Sequence, residues 1–141
     1  MITRVAKIYL EVDDQAAAME FWTDKMGFQV ITDQTLGDER WIELQPPRQD
    51  LLLVLVRGQA TVVRRDVPDN LPHSNVFFDC DDIEKTHREL IERGVRFTLA
   101  PSRQHFGWWS LFEDYEGTRF ALSQWGSGQR DGGEDPGGGA E

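Results

Sequence analysis

The chain has 141 residues, 39% of them hydrophobic and 28% charged, so it is a globular protein of one ordinary domain or two small fused ones, not a disordered or fibrous polymer. A net charge of −10 argues against a nucleic-acid partner, because that affinity rests on Lys and Arg neutralising phosphates. No run approaches the roughly 18 apolar residues of a membrane span, and the N-terminus MITRVAKIYLEV enters an alternating pattern at once, without a signal-peptide core. A cytoplasmic protein with no membrane partner is expected. The single cysteine, Cys80, rules out an intrachain disulfide and a Cys-rich zinc site; it lies in an apolar strand pattern and reads as a buried thiol.

The first predicted strand is Val5–Val12, which alternates and ends in Asp13-Asp14. Asp14 is a natural N-cap for the helix that follows, whose Ala18, Phe21, Trp22 and Met26 recur at helical spacing until Gly27, suited to the left-handed C′ position. A short strand Phe28–Ile31 comes next. Strands Arg40–Gln45 and Leu51–Arg57 then flank the turn Pro46-Pro47-Arg48-Gln49.

The same series then repeats. Asn75–Cys80 alternates and ends in Asp81-Asp82, and a helix with Ile83, His87, Leu90 and Ile91 stops at Gly94. Strand Val95–Thr98 follows, then Gly107–Glu113 and Thr118–Gln124 around Asp114-Tyr115-Glu116-Gly117, where Gly117 supplies positive φ for a bulged type I turn. The β-α-β-β-β unit thus appears twice, about 67 to 68 residues apart. The expected organisation is a first module over 1–57, a linker over 58–72 and a second module over 73–125. A Gly-rich tail over 126–141, too polar to offset its ordering entropy, completes the chain. One arginine against four carboxylates gives the tail −3 and leaves −7 to the rest.

Phe21-Trp22…Met26-Gly27-Phe28 resembles the "FY…LGF" pattern of the glyoxalase / bleomycin-resistance / extradiol-dioxygenase (vicinal oxygen chelate) superfamily. Phe112-Glu113-Asp114-Tyr115-Glu116-Gly117 is similar to its "F-x-D-P-D-G". The resemblance covers residues 5–125. It implies an α+β fold of two tandem βαβββ modules, forming curved mixed sheets around a cavity, and a homodimer.

Metal-dependent members of that family place ligands on the first and last strands of each half. Here those positions fall on Lys7, Asn75, Leu53 and Ala121. An ammonium has no lone pair, two hydrocarbons offer nothing, and Asn75 alone is too weak. No metal and no cofactor are therefore expected, and lactoylglutathione lyase or extradiol dioxygenase activity is disfavoured. His87 reads as a packing or solvated residue. A relocated site from His73, His105 and Glu43 has no spacing to support it.

By alternation, Tyr9 and Glu11 share a face with Lys7, and Phe77 and Asp79 share one with Asn75. If Gly117 forms a bulged turn, Trp109 lies beside Ser123 and Leu111 beside Ala121. The same register in the first half puts Trp41 near Leu55 and Glu43 near Leu53. A different turn length would bring Trp108 inward in place of Trp109. Trp22 reads as core and Trp125 as the close of the last strand. Trp41, Trp108, Trp109, His105 and Phe106 are either packing residues or the walls of a site for a planar guest, which such rings stack upon. Glu43, Tyr9, Asn75, Asp79 and Arg119 are candidates to orient it, and the carboxylates could attract a cation.

The resemblance is closest to the antibiotic-sequestering branch of the family, which implies a small aromatic or cationic ligand and no catalytic residue. The other reading is a metal-independent isomerase, lyase or tailoring enzyme. Its acid or base would come from Glu43, Asp79, His105 or Tyr9, with Lys7 as a further nucleophile candidate.

Overall fold

In the computed structural model, which describes residues 1–58 and 67–124, the chain divides into two compact units, Met1–Arg65 and Asp66–Glu141. In the first, β1 (Lys7–Val12) leads to α1 (Gln15–Glu20), which continues as a π-helical turn over Phe21–Lys25. Asp14 caps the helix by accepting from the Ala17 N–H at 3.0 Å, and Gly27 ends the segment at φ +78°. The Thr23 hydroxyl donates to the Met19 carbonyl at 2.8 Å, competing with the regular ladder where the helix widens. Strands β2 (Gln29–Leu36), β3 (Glu39–Gln45) and β4 (Leu52–Arg57) complete a sheet of order β1-β4-β3-β2. Among the described residues of this unit only the β1–β4 pair is parallel.

The second unit has the same plan. β5 (Phe77–Asp79) leads to α2 (Ile83–Glu92), then β6 (Arg96–Gln104), β7 (Gly107–Glu113) and β8 (Arg119–Gln124), in a sheet of order β5-β8-β7-β6. Asp82 caps α2 through the Lys85 N–H at 3.1 Å. These are the α+β βαβββ modules read from the repeat, each a four-stranded mixed sheet.

Each sheet buries one face under its helix. In the first unit α1 packs on β3 and β4, and the face beneath it carries Ile42, Leu44, Leu53 and Leu55, all at most 1% exposed, with Trp22 at 1%. Burying such side chains contributes roughly 1.5–3 kcal/mol each. The continuous apolar run of β4 suits its place between β1 and β3. In the second unit Phe78, Phe97, Phe112 and Phe120 form the corresponding layer, with ring centroids 5.6–6.2 Å apart.

Three boundaries differ from the sequence-based expectations. Strands β2 and β6 run on to Leu36 and Gln104, well beyond Ile31 and Thr98. Their outer halves are polar and mostly exposed, so backbone pairing with β3 and β7 defines them and hydrophobic alternation does not. Pro101 is tolerated because β6 is an edge strand with a register shift between Leu99 and Ser102. Strand β5 is shorter than expected, and Asn75 precedes it. There the His73 and Ser74 N–H groups donate to the Arg119 carbonyl, and the Ser74 hydroxyl accepts from Val76.

The residues just before β5 are tied to the second unit. The Arg119 guanidinium donates to the carbonyls of Leu71 (3.0 Å) and Pro68 (3.2 Å), while its backbone N–H donates to His73 Nδ1 at 2.8 Å. The expectations for Trp125 and the Gly-rich tail lie outside the described residues. Among the described residues no helix is long and apolar enough to cross a membrane.

Candidate functional site

The face of each sheet opposite its helix carries the candidate residues. In the first unit the register Lys7↔Leu52, Tyr9↔Val54 and Glu43↔Val54 sets Lys7, Tyr9, Trp41 and Glu43 on one face. Thr32 joins them as the cross-strand partner of Glu43. The Lys7 ammonium donates to Glu43 Oε2 at 2.5 Å, the Trp41 indole N–H donates to the same oxygen at 3.0 Å, and Lys7 Nζ lies 5.9 Å from the Trp41 ring centroid.

The Glu43 side chain is 9% exposed and that of Lys7 is 47% exposed. Hydrogen bonds from Lys7 and then Trp41 hold the Glu43 carboxyl at about 2, with the Thr32 hydroxyl assisting and burial opposing. The result is a buried, fully ionised carboxylate whose charge is already matched by an open ammonium.

In the second unit the register Phe77↔Ala121, Asp79↔Ser123, Trp109↔Ser123 and Leu111↔Ala121 brings Phe77, Asp79, Trp109, Leu111 and Ala121 to one face. The bulged turn behind this register is present: Asp114 N–H donates to the Thr118 carbonyl at 3.0 Å, and Gly117 has φ +91°. Asp114 is buried, and its Oδ1 also accepts from the Glu116 and Thr118 N–H groups. His105 and Phe106 form the tip of the β6–β7 hairpin, where the Phe106 ring meets Trp109 edge-on at 5.8 Å.

Two of the candidates lie on the opposite face of their strands, and Asn75 lies before β5. Leu53 lies on the helix side, paired with Leu44 and 1% exposed, so Val54 takes its place, opposite Tyr9 and Glu43. The cause is the loop between β3 and β4, one residue longer than its counterpart between β7 and β8. Ile42 pairs with Leu55, whereas Ser110 pairs with Leu122. Trp108 pairs with Arg103 and Gln124, on the opposite face from Trp109 and Asp79. Sequence reasoning missed Thr32 and Val54. Only the strand register reveals them: Thr32 lies beyond the expected end of β2, and Val54 turns to this face through the longer β3–β4 loop.

The positions that the family resemblance marks for metal ligands do not fit a divalent ion in this chain. Lys7 is an ammonium engaged by a carboxylate, Val54 and Ala121 are hydrocarbons, and Asn75 lies outside β5. The His73 Nδ1 lone pair accepts from a backbone N–H. Among the described residues no group of three or more His, Cys, Asp or Glu side chains is placed to hold a metal. Burial pushes the Cys80 thiol up to about 11, which leaves it a poor nucleophile.

A model of the Glyoxalase/Bleomycin resistance protein/Dioxygenase superfamily matches residues 4–122. The chain is 28% identical over 125 residues to YetH of Bacillus subtilis (strain 168), itself uncharacterized, covering 88% of this chain and 100% of that protein. Among solved structures, TnmS3, an antibiotic binding protein from Streptomyces sp. CB03234, superposes with a TM-score of 0.73 at 29% identity, covering 89% of this chain and 98% of that one. UcmS2 superposes with a TM-score of 0.72 at 27% identity, covering 87% and 98%.

Proposed function

Because the chain belongs to the glyoxalase/bleomycin resistance protein/dioxygenase superfamily, we propose that it uses this scaffold to bind and withhold a small aromatic molecule of the natural-product or antibiotic type, without turning it over. The observation that carries this reading is a set of open aromatic rings on the faces opposite the helices. Tyr9 is 60% exposed and Trp41 40% exposed beside the Lys7–Glu43 pair, and Phe77 is 58% exposed on the face of Trp109. Large rings left in water beside fixed polar groups suit a planar guest, which stacks on them at roughly 0.5–1.5 kcal/mol per ring pair beyond area burial. The likeness to an antibiotic binding protein over nearly the whole of both chains supports the same reading.

Glu43 and Cys80 are poorly suited to general-base or nucleophilic work. A carboxylate held at about 2 is a weak base at neutral pH, and a thiol at about 11 is almost wholly protonated there. The reading includes a homodimer in the cytoplasm, the dimer to be checked by sedimentation.

Tryptophan fluorescence and melting temperature, followed against a panel of aromatic antibiotics, test the proposal. A true ligand quenches the emission and, at about 100 times its Kd, stabilises the fold by about 2.7 kcal/mol, which raises the melting temperature by several degrees. Trp41→Ala or Trp109→Ala weakens the effect. If no aromatic compound in the panel quenches or stabilises the protein, the reading is wrong.

A further inference from the structure

The two modules share a plan but not a charge. Trp109 occupies in the second the strand position of Trp41 in the first, and Leu111 that of Glu43. The buried carboxylate and its ammonium therefore have no counterpart at the matching positions of the second module, Leu111 and Asn75. We propose that the face of the first module is a subsite selecting planar aromatic molecules that carry an anionic or strongly accepting oxygen, with Lys7 as the group that reads it. The inference rests on the aromatic-binding reading above and names the chemistry of the guest.

The geometry assigns the roles. Glu43 is buried, and its Oε2 already accepts from both Lys7 and Trp41, so little of its charge reaches outward to a cation. The Lys7 side chain is 47% exposed. One of its N–H bonds is spent on Glu43, and its remaining donors belong to a half-open ammonium that lies 5.9 Å from the Trp41 ring centroid, on the face that also carries Tyr9. The Trp41 N–H is spent on Glu43 as well, which fixes the indole as a platform. An aromatic carboxylate, phenolate or sulfonate stacked on that platform meets the ammonium. An aromatic cation meets it too and is repelled. Glu43 acts as a positioning residue: it orients both the ring and the charge and need not touch the guest.

The overall field runs the other way. With a net charge of −10 the chain attracts cations at long range, so a preference for anions has to arise locally.

Three probes of one skeleton separate the possibilities: naphthoate, naphthylmethanol and naphthylmethylammonium, titrated by fluorescence at about 0.15 M salt, where the long-range field is screened beyond about 8 Å. Naphthoate is expected to bind about tenfold more tightly than the alcohol, as suits one charge-assisted hydrogen bond, and the ammonium most weakly. Lys7→Met with Glu43→Gln removes the pair together, avoiding an orphaned buried charge, and brings naphthoate to the level of the alcohol. Lys7→Arg retains the preference. Trp41→Ala weakens all three probes alike. Binding of all three with equal affinity, tighter binding of the ammonium, or a preference that survives the double variant overturns the inference and leaves the aromatic-binding reading standing. Failure of all three to bind overturns both.

Discussion

Lys7 on β1 and Glu43 on β3 are joined across the sheet, Nζ to Oε2 at 2.5 Å, over the intervening strand β4. Residue 54, the β4 position aligned with Glu43, is valine, a side chain that cannot compete for either charge. The pair is thus held by a hydrocarbon floor beneath and an indole beside it. A buried carboxylate in such a setting tolerates loss of a partner poorly.

The stability of this pair depends on pH with a definite sign. The Glu43 carboxyl titrates at about 2 in the folded chain against an ordinary value of 4.5, so its contribution is complete above 4.5 and disappears as pH falls toward 2. Glu43→Gln, which keeps the shape and an accepting oxygen, is expected to cost about 1–3 kcal/mol at neutral pH. The gap between wild type and variant in urea denaturation should narrow below about pH 4 and close near the folded value. A gap of unchanged size at pH 3 refutes the assignment.

The tryptophans divide by burial. Trp22 is 1% exposed and meets Phe21 and Phe28 at centroid distances of 5.2 and 5.4 Å. Trp22→Ala should cost about 3–5 kcal/mol, as core Trp truncations do. Trp41→Ala, at a ring 40% exposed whose N–H serves the buried Glu43 carboxylate, should cost less than that, about 1–3 kcal/mol. Chemical denaturation of the two variants provides the check, and equal losses would contradict the burial pattern.

Arg119 ties the segment before β5 to β8 through the carbonyls of Pro68 and Leu71. Arg119→Ala should lose about 1–2 kcal/mol and speed hydrogen exchange at the Leu71 amide, which donates to Pro68 at 3.0 Å. Arg119→Lys should not restore protection, because a single ammonium cannot reach both carbonyls as the planar fork does. Amide exchange followed by NMR distinguishes the two variants.

Cys80 donates to the Ser123 carbonyl at 3.6 Å, and burial raises its thiol to about 11. Alkylation by iodoacetamide at neutral pH should therefore run at least tenfold slower than for an exposed cysteine, and quicken as pH rises toward that value. Rapid labelling of the native protein at neutral pH would show that the thiol is not shielded.

Local chemistry was readable in the chain itself. Asp14 and Asp82 as caps, Gly27, Gly94 and Gly117 at positive φ, and the β8 register that places Trp109 against Ser123 all follow from the chemistry of a few adjacent residues. The repeat, and with it the βαβββ plan, was legible for the same reason. What the one-dimensional pattern could not decide was whatever depends on how strands meet. A one-residue difference between two hairpin loops moves Leu53 into the core and brings Val54 to the candidate face, since side chains alternate with period two. The ends of β2 and β6 are set by backbone pairing at sheet edges, where polar residues leave no periodic mark. The Lys7–Glu43–Trp41 cluster joins residues up to 36 positions apart on strands that are not sheet neighbours, so only tertiary structure could match that charge.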